Sequence, residues 1–275
     1  MYCTVNDVYG AAGISSAEVS EAIVENNILG AQSEVDRVTN TTYWLENDDG
    51  TATSATNNTI TNSGESWSGN AYAGNHIWIT GGTGINQIRK IVSNTKDTIT
   101  VSADWTTNPD ATSTYRICYS AQNPYVSEEL RDGDDYSSIF LNKYPLVLLE
   151  SVESNSTTVT PSTIYQYKEM GKLLLSSESE VQTWTSYKAQ QNVFAYYWGV
   201  YPIPYEVVRY TIVIAAMRTL GTQTGGTFNV PSTYSLPEAS LSIGQAYVNI
   251  RETFNMLKAE KEMLEATLIK YTSFA

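Results

Sequence analysis

The chain has one histidine, His76, so any acid–base or nucleophilic chemistry of the usual kinds has to begin there. It lies in the alternating run His76-Ile77-Trp78-Ile79-Thr80 with no serine or cysteine nucleophile motif beside it, which leaves Ser-His-Asp and Cys-His mechanisms without context. Cys3 and Cys118 are far apart and match no C-x₂-C metal spacing; they read as two unpaired thiols. Gly82-Thr83-Gly84 opens like a dinucleotide loop, but Gln87 stands where the third glycine belongs, and no Gly-Lys-Ser/Thr follows, so a tight turn between strands explains it. Asn47-Asp48-Asp49-Gly50 and Asp132-Gly133-Asp134-Asp135 offer hard oxygens of the kind calcium takes. Neither has the alternate spacing or terminal Glu of an EF-hand loop, and both are expected to be turns. A glycosidase pair is defined by geometry and not by spacing, so no Asp or Glu is singled out. The residues therefore predict no catalytic site, no metal and no cofactor.

Composition narrows the class further. The 275 residues carry a formal net charge of -13 and include 20 Tyr, with 16% charged and 41% hydrophobic residues, a Ser/Thr/Asn/Tyr-rich style suited to virion or extracellular β-structure. Binding a phosphate backbone needs clustered Lys and Arg, so DNA passing this protein is expected to be repelled. The start, Met1-Tyr2-Cys3-Thr4, shows no signal-peptide pattern, and no apolar run approaches the roughly 20 residues of a membrane span. Tyr210 to Met217, the longest apolar run, reads as a buried helix.

The elements follow from caps and periodicity. Thr4, with Asp7 three residues on, caps a short first helix that Gly13 ends, and Ser15-Ser16-Ala17-Glu18 forms a capping box for a second. Behind it Val24, Ile28, Ala31, Val35 and Val38 recur at helical spacing. From Asp48 the texture turns to Thr, Ser, Asn and Gly. Strands are predicted at His76–Thr80, Gln87–Val92, Thr98–Val101 and Thr114–Cys118, with a turn at Asn94–Asp97. Shorter strands are expected at Leu146–Leu149, Leu173–Leu175 and Val193–Tyr197. Pro204 opens a helix whose Val208, Ile212, Ala215 and Ala216 share a face and which Gly221 closes. Gly225–Pro237 reads as loop. A long helix from about Ala246 to Tyr271 carries a heptad-like stripe of Ile250, Phe254, Leu257, Leu264 and Leu268.

In this order the segments resemble the head–tail connector (adaptor, or head-completion) family of tailed bacteriophages. Thr4-Val5-Asn6-Asp7-Val8, Gly13-Ile14 and Ala31 to Thr39 look like its two N-terminal helices. Arg131-Asp132-Gly133, Ile139-Phe140-Leu141, Tyr144-Pro145 and Ser151-Val152 look like its centre, as do Tyr165 to Leu175 and Asn192 to Gly199 with Pro204 and its helix. Ser242-Ile243-Gly244 is similar to the motif before its C-terminal segment. The stretch with Trp67, Tyr72-Ala73-Gly74, Gly82 to Arg89, Ser93-Asn94-Thr95 and Trp105 to Tyr115 resembles a small β-unit recurring in phage structural proteins.

The resemblance implies an α+β protein with a helical connector core and short strands, an inserted small all-β domain, and a long C-terminal helix. Its expected parts are residues 1–47, the N-terminal helical part of the core; 48–120, the inserted barrel or sandwich; 121–245, central strands and core helix; and 246–275, the C-terminal helix. It implies a structural virion protein and not an enzyme, made in the host cytoplasm and located in the neck between capsid and tail. There it would form a homo-oligomeric ring, by resemblance a dodecamer, between the portal protein and tail-side neck or stopper proteins. DNA would pass through the channel without specific binding. Ile250, Phe254, Leu257, Leu264 and Leu268 are the expected portal-docking residues. The competing reading is a tail, baseplate or fibre protein whose β-module binds host glycans through Trp67, Trp78 and Trp105, residues that in so small a domain more often belong to the core.

Overall fold

A computed structural model of the chain describes residues 1–186, 191–223, 233–236, 239–242 and 245–272. Two compact units result, one helical, built from both chain ends (Met1–Thr41 and Ile203–Ala275), and one of β-structure, Thr42–Pro202.

In the helical unit, α1 (Val5–Ala12) starts where the caps predict: the Thr4 hydroxyl accepts from the Asp7 amide, the Asp7 carboxylate accepts from the Thr4 amide, and Gly13 ends the helix at φ 68°. The Ser15–Glu18 pair also forms, the Ser15 amide donating to the Glu18 carboxylate at 2.8 Å. It heads a turn, with the Glu18 and Val19 amides bonded to the Ser15 carbonyl, and α2 (Glu21–Thr39) begins only after Ser20. Helix α2 buries Val24, Ile28, Ala31 and Val35 as the periodicity requires. Helix α3 (Tyr205–Gln223) is buried on nearly every side, from Val207 through Tyr210–Ala216 to Leu220, because it packs against α1, α2 and α4 (Gln245–Thr272) together. Ion pairs tie the long helices: Arg209 of α3 grips Glu260 of α4 with two bonds of 2.6 and 2.8 Å, and Glu34 of α2 accepts from both Arg218 of α3 and Lys261 of α4.

The β-unit holds three antiparallel sheets. Strands β1 (Trp44–Thr51), β2 (Ser54–Ala55), β3 (Thr59–Thr61), β4 (His76–Gly81), β5 (Ile88–Asn94), β6 (Thr98–Val101) and β7 (Thr114–Ser120) form a seven-stranded sheet in the order β1-β7-β4-β5-β6-β3-β2. It surrounds a cluster that includes Ile60, Ile77, Ile79, Ile91, Ile99, Trp105, Tyr115 and Ile117. Strands β8 (Tyr125–Arg131), β10 (Leu146–Ser154), β11 (Thr157–Val159) and β14 (Asn192–Trp198) make a second sheet; β9 (Ser138–Phe140), β12 (Ile164–Tyr167) and β13 (Lys172–Leu175) make a third. These two share a core containing Leu149, Leu173, Trp184, Phe194 and Tyr196. A further cluster, Trp44, Ile88, Cys118 and Tyr197, with Trp78 and Tyr201 packed on it, joins the two halves of the unit. The unit's two ends meet: Tyr43 pairs with Val200, and the Trp44 indole N–H donates to the Trp198 carbonyl at 2.9 Å. Adjacent ends are what let a folded unit interrupt another chain without distorting it.

This is a β-rich fold, and the expectation of a helical connector core with a small inserted β-domain is corrected. Among the described residues there are sixteen strands against four α-helices, and strands run through the chain's centre as well as its first half. The physical reason lies in bulges. Register shifts at Leu146/Leu148, Leu149/Ser151 and Phe194/Tyr196 break the apolar alternation of β10 and β14, so a full four-stranded sheet reads as fragments. Similarly β1 starts at Trp44 and runs through Asn47-Asp48-Asp49-Gly50, with a bulge between Glu46 and Asp48, where the polar residues predict a turn. Part of the predicted loop is also structured: β15 (Thr233–Leu236) pairs with β16 (Ala239–Ser242), while residues 225–232 lie outside the described residues.

Candidate functional site

The side chains whose types could do chemistry are buried in the fold: His76, Cys3 and Cys118. His76 is 4% exposed, set edge-on to Trp44 and Tyr197 at 5.5 and 5.9 Å, with Nδ1 buried and unbonded. Burial, helped by the nearby Lys90 charge, pulls its pKa down to about 4. An unfolded chain takes up the imidazole proton near pH 6.5, whereas the folded chain refuses it until about pH 4. Stability contributed by the neutral ring is thus complete above pH 6.5 and lost as pH falls through that window. Between pH 7 and 4.5 the wild type is expected to lose about 2.5 kcal/mol more than His76→Phe, checked by urea melts at the two pH values. Cys3 and Cys118 are buried thiols whose pKa burial raises to about 12, far from the thiolate a nucleophile needs.

The acidic residues are engaged structurally. Asp48 accepts from the Trp67 indole N–H at 2.7 Å and the Tyr72 hydroxyl at 2.9 Å, and Asp135 accepts from the Ser186 amide at 3.1 Å. Among the described residues no group of three or more His, Cys, Asp or Glu is placed to share a metal ion, and no helix is long and apolar enough to cross a membrane.

Of the stripe expected to dock a portal, Leu257, Leu264 and Leu268 are buried inside the helical unit, and Ile250 and Phe254 are half-buried on the same helix. The exposed apolar face of α4 is a different one: Met256 and Met263, 74% and 64% exposed, alternate with exposed Ala259 and Ala266 at spacings of three, four and three. Sequence periodicity cannot separate these two stripes, because both satisfy a heptad; the larger residues simply took the inner one.

In the β-unit the third sheet shows one apolar face to solvent. Register places Tyr167, Lys172 and Phe140 in one cross-strand row and Tyr165, Leu174 and Ser138 in the next, opposite buried Leu173 and Ile139. Tyr165, Tyr167 and Phe140 are all exposed, and the Lys172 ammonium sits 5.7 Å from the Phe140 ring and 5.8 Å from Tyr167. A cleft of about 450 Å³ opens elsewhere in this unit, floored by residues 145–148 and walled by Trp78 and Tyr201. Of the three tryptophans named from the sequence, Trp105 is core, Trp67 packs partly buried against that core, and only Trp78 lines the cleft. Its partner Tyr201 comes from far along the chain, a juxtaposition that spacing does not reveal.

The chain thus has a helical unit and a β-unit, and each carries exposed apolar side chains: Met256 and Met263 on the first, Phe140, Tyr165 and Tyr167 on the second. No family model matches the chain, and no curated protein matches it.

Proposed function

We propose that this protein is a structural subunit of a tailed-virus particle, a head–tail connector whose copies form a ring between the portal and the tail. The observation that carries the reading is the succession of connector-like segments from Thr4 to Gly244, with exposed apolar surface on both units supporting it. A closed ring needs two complementary faces on each subunit. The aromatic face around Lys172 suits contact between neighbouring subunits, since aromatic rings dominate the centres of protein interfaces. Acidic side chains, in excess over the chain as a whole, keep the channel from gripping DNA.

The portal contact moves from the stripe that the sequence suggested to the outward Met256–Ala259–Met263–Ala266 face of α4, whose flexible thioethers fit an adaptable helix contact. The double variant Met256→Asp, Met263→Asp is expected to keep the wild-type melting temperature while losing roughly ten-fold or more in affinity for its portal ring, measured by surface plasmon resonance. Unchanged affinity would remove α4 from the portal contact.

A further inference from the structure

The cleft of the β-unit has its own chemistry. One wall is an edge-to-face aromatic pair, Trp78 on β4 and Tyr201, with centroids 6.3 Å apart. Tyr201 is held rigidly: its hydroxyl donates to Glu46 at 2.6 Å, and the Arg116 guanidinium, itself paired with Glu46, lies 4.6 Å over its ring. Trp78 is therefore backed by a fixed neighbour while staying half-exposed to the cleft, and its indole N–H has no partner among the described residues. Facing it are Asn86 from the β4–β5 turn, Gln166 of β12, and Lys168 and Glu169 just beyond. The Asn86 side-chain amide and the Glu169 carboxylate also lack partners among the described residues, and Gln166 uses only its amide nitrogen, on the Pro161 carbonyl. The single cation lining the cleft, Lys168, gives one of its three N–H groups to the Val147 carbonyl at 2.9 Å.

A ligand for this cleft must offer an apolar face to Trp78 and several hydroxyls that both donate and accept. It should carry no negative charge, because the carboxylate of Glu169 balances the one ammonium in the lining and the whole chain stands at -13. A pyranose ring meets each demand: its axial C–H groups pack on an indole, and its vicinal hydroxyls bridge amides and carboxylates. The volume of about 450 Å³ falls within the roughly 300–1,000 Å³ of small-ligand sites and accommodates one or two sugar rings. We infer that this cleft binds a neutral saccharide unit of a glycan, with Trp78 as the stacking platform and Asn86, Gln166 and Glu169 as hydroxyl partners. The inference stands whether or not the chain forms a ring.

The test is saturation-transfer NMR on the full chain at millimolar sugar, using maltose, cellobiose, lactose and diacetylchitobiose, with sialylated lactose as the anionic comparison. The expected result is saturation transfer to at least one neutral disaccharide, weakened about five-fold or more in affinity by the exposed-residue variant Asn86→Gly, Glu169→Ala at unchanged melting temperature, glycine being used because Asn86 holds a φ of 68°. Trp78→Phe should retain part of the binding and Trp78→Ala none. Silence from all four neutral sugars, binding undiminished in the double variant, or tighter binding of the sialylated sugar than of lactose would each overturn the inference.

Discussion

Trp44→Ala is expected to lower the stability of the β-unit by about 3–5 kcal/mol, the range for deleting a fully buried aromatic residue. Trp44 is completely buried in the cluster that joins the two halves of that unit, with its ring against His76 and Tyr197. Its indole N–H bonds the Trp198 carbonyl, the point where the unit's incoming and outgoing segments lie side by side. Truncation therefore removes apolar contacts, leaves a cavity and frees a buried carbonyl at once. The same seam tolerates no extra atom: a Cβ at Gly199, where φ is 118°, would lie 2.8 Å from the Trp44 indole nitrogen. A fall of about 10 °C in the melting temperature, read by circular dichroism, is the expected size for a unit of this length. Trp44→Phe, which keeps a ring but loses the hydrogen bond and part of the volume, should cost distinctly less. A change below about 1 kcal/mol for Trp44→Ala would mean that the two β-halves are held by other contacts.

The second large effect is Leu257→Asp on α4. Leu257 is 4% exposed and packed inside the helical unit, so the substitution buries an unpaired carboxylate where a side chain of four carbons stood. A loss of more than about 3 kcal/mol is expected, seen as early melting of helical signal at 222 nm (roughly the standard helix band), with portal binding lost along with the fold. This separates the inner stripe from the outer one, since the Met256 and Met263 changes, at exposed positions, should leave melting within about 0.5 kcal/mol. Leu257→Asp with wild-type stability would place α4 outside the core of its own unit.

How much of this was legible in the residues depends on what carried the signal. Caps were legible where a side chain bonds its own neighbours: Thr4, Asp7 and Gly13 bound α1 as they predict, because that chemistry is local. Strands of regular alternation, β4 through β7, were legible for the same reason. Ser15 and Glu18 show the limit, since the Ser15 amide and hydroxyl both donate to the Glu18 carboxylate as one half of a capping box, yet the helix starts several residues later. The central sheets were hidden by bulges at Val147, Glu150 and Phe194–Tyr196, each of which shifts the inward-facing register by one residue. Among candidate surfaces, the amphipathic stripe on α4 was visible but its orientation was not, because both faces carry apolar residues at heptad spacing. The cleft was out of reach: Trp78, Asn86, Gln166, Glu169 and Tyr201 are brought together by pairing across the whole β-unit, and no local pattern marks them.

The ring is the claim on which the rest of the functional reading depends, and negative-stain electron microscopy of the purified chain, alone and mixed with its portal ring, tests it most directly. The expected images show closed rings of uniform diameter with a central channel, either in the chain alone or assembled as a second tier on the portal. Particles that remain single subunits in both samples, with the portal rings left bare, would contradict the connector assignment.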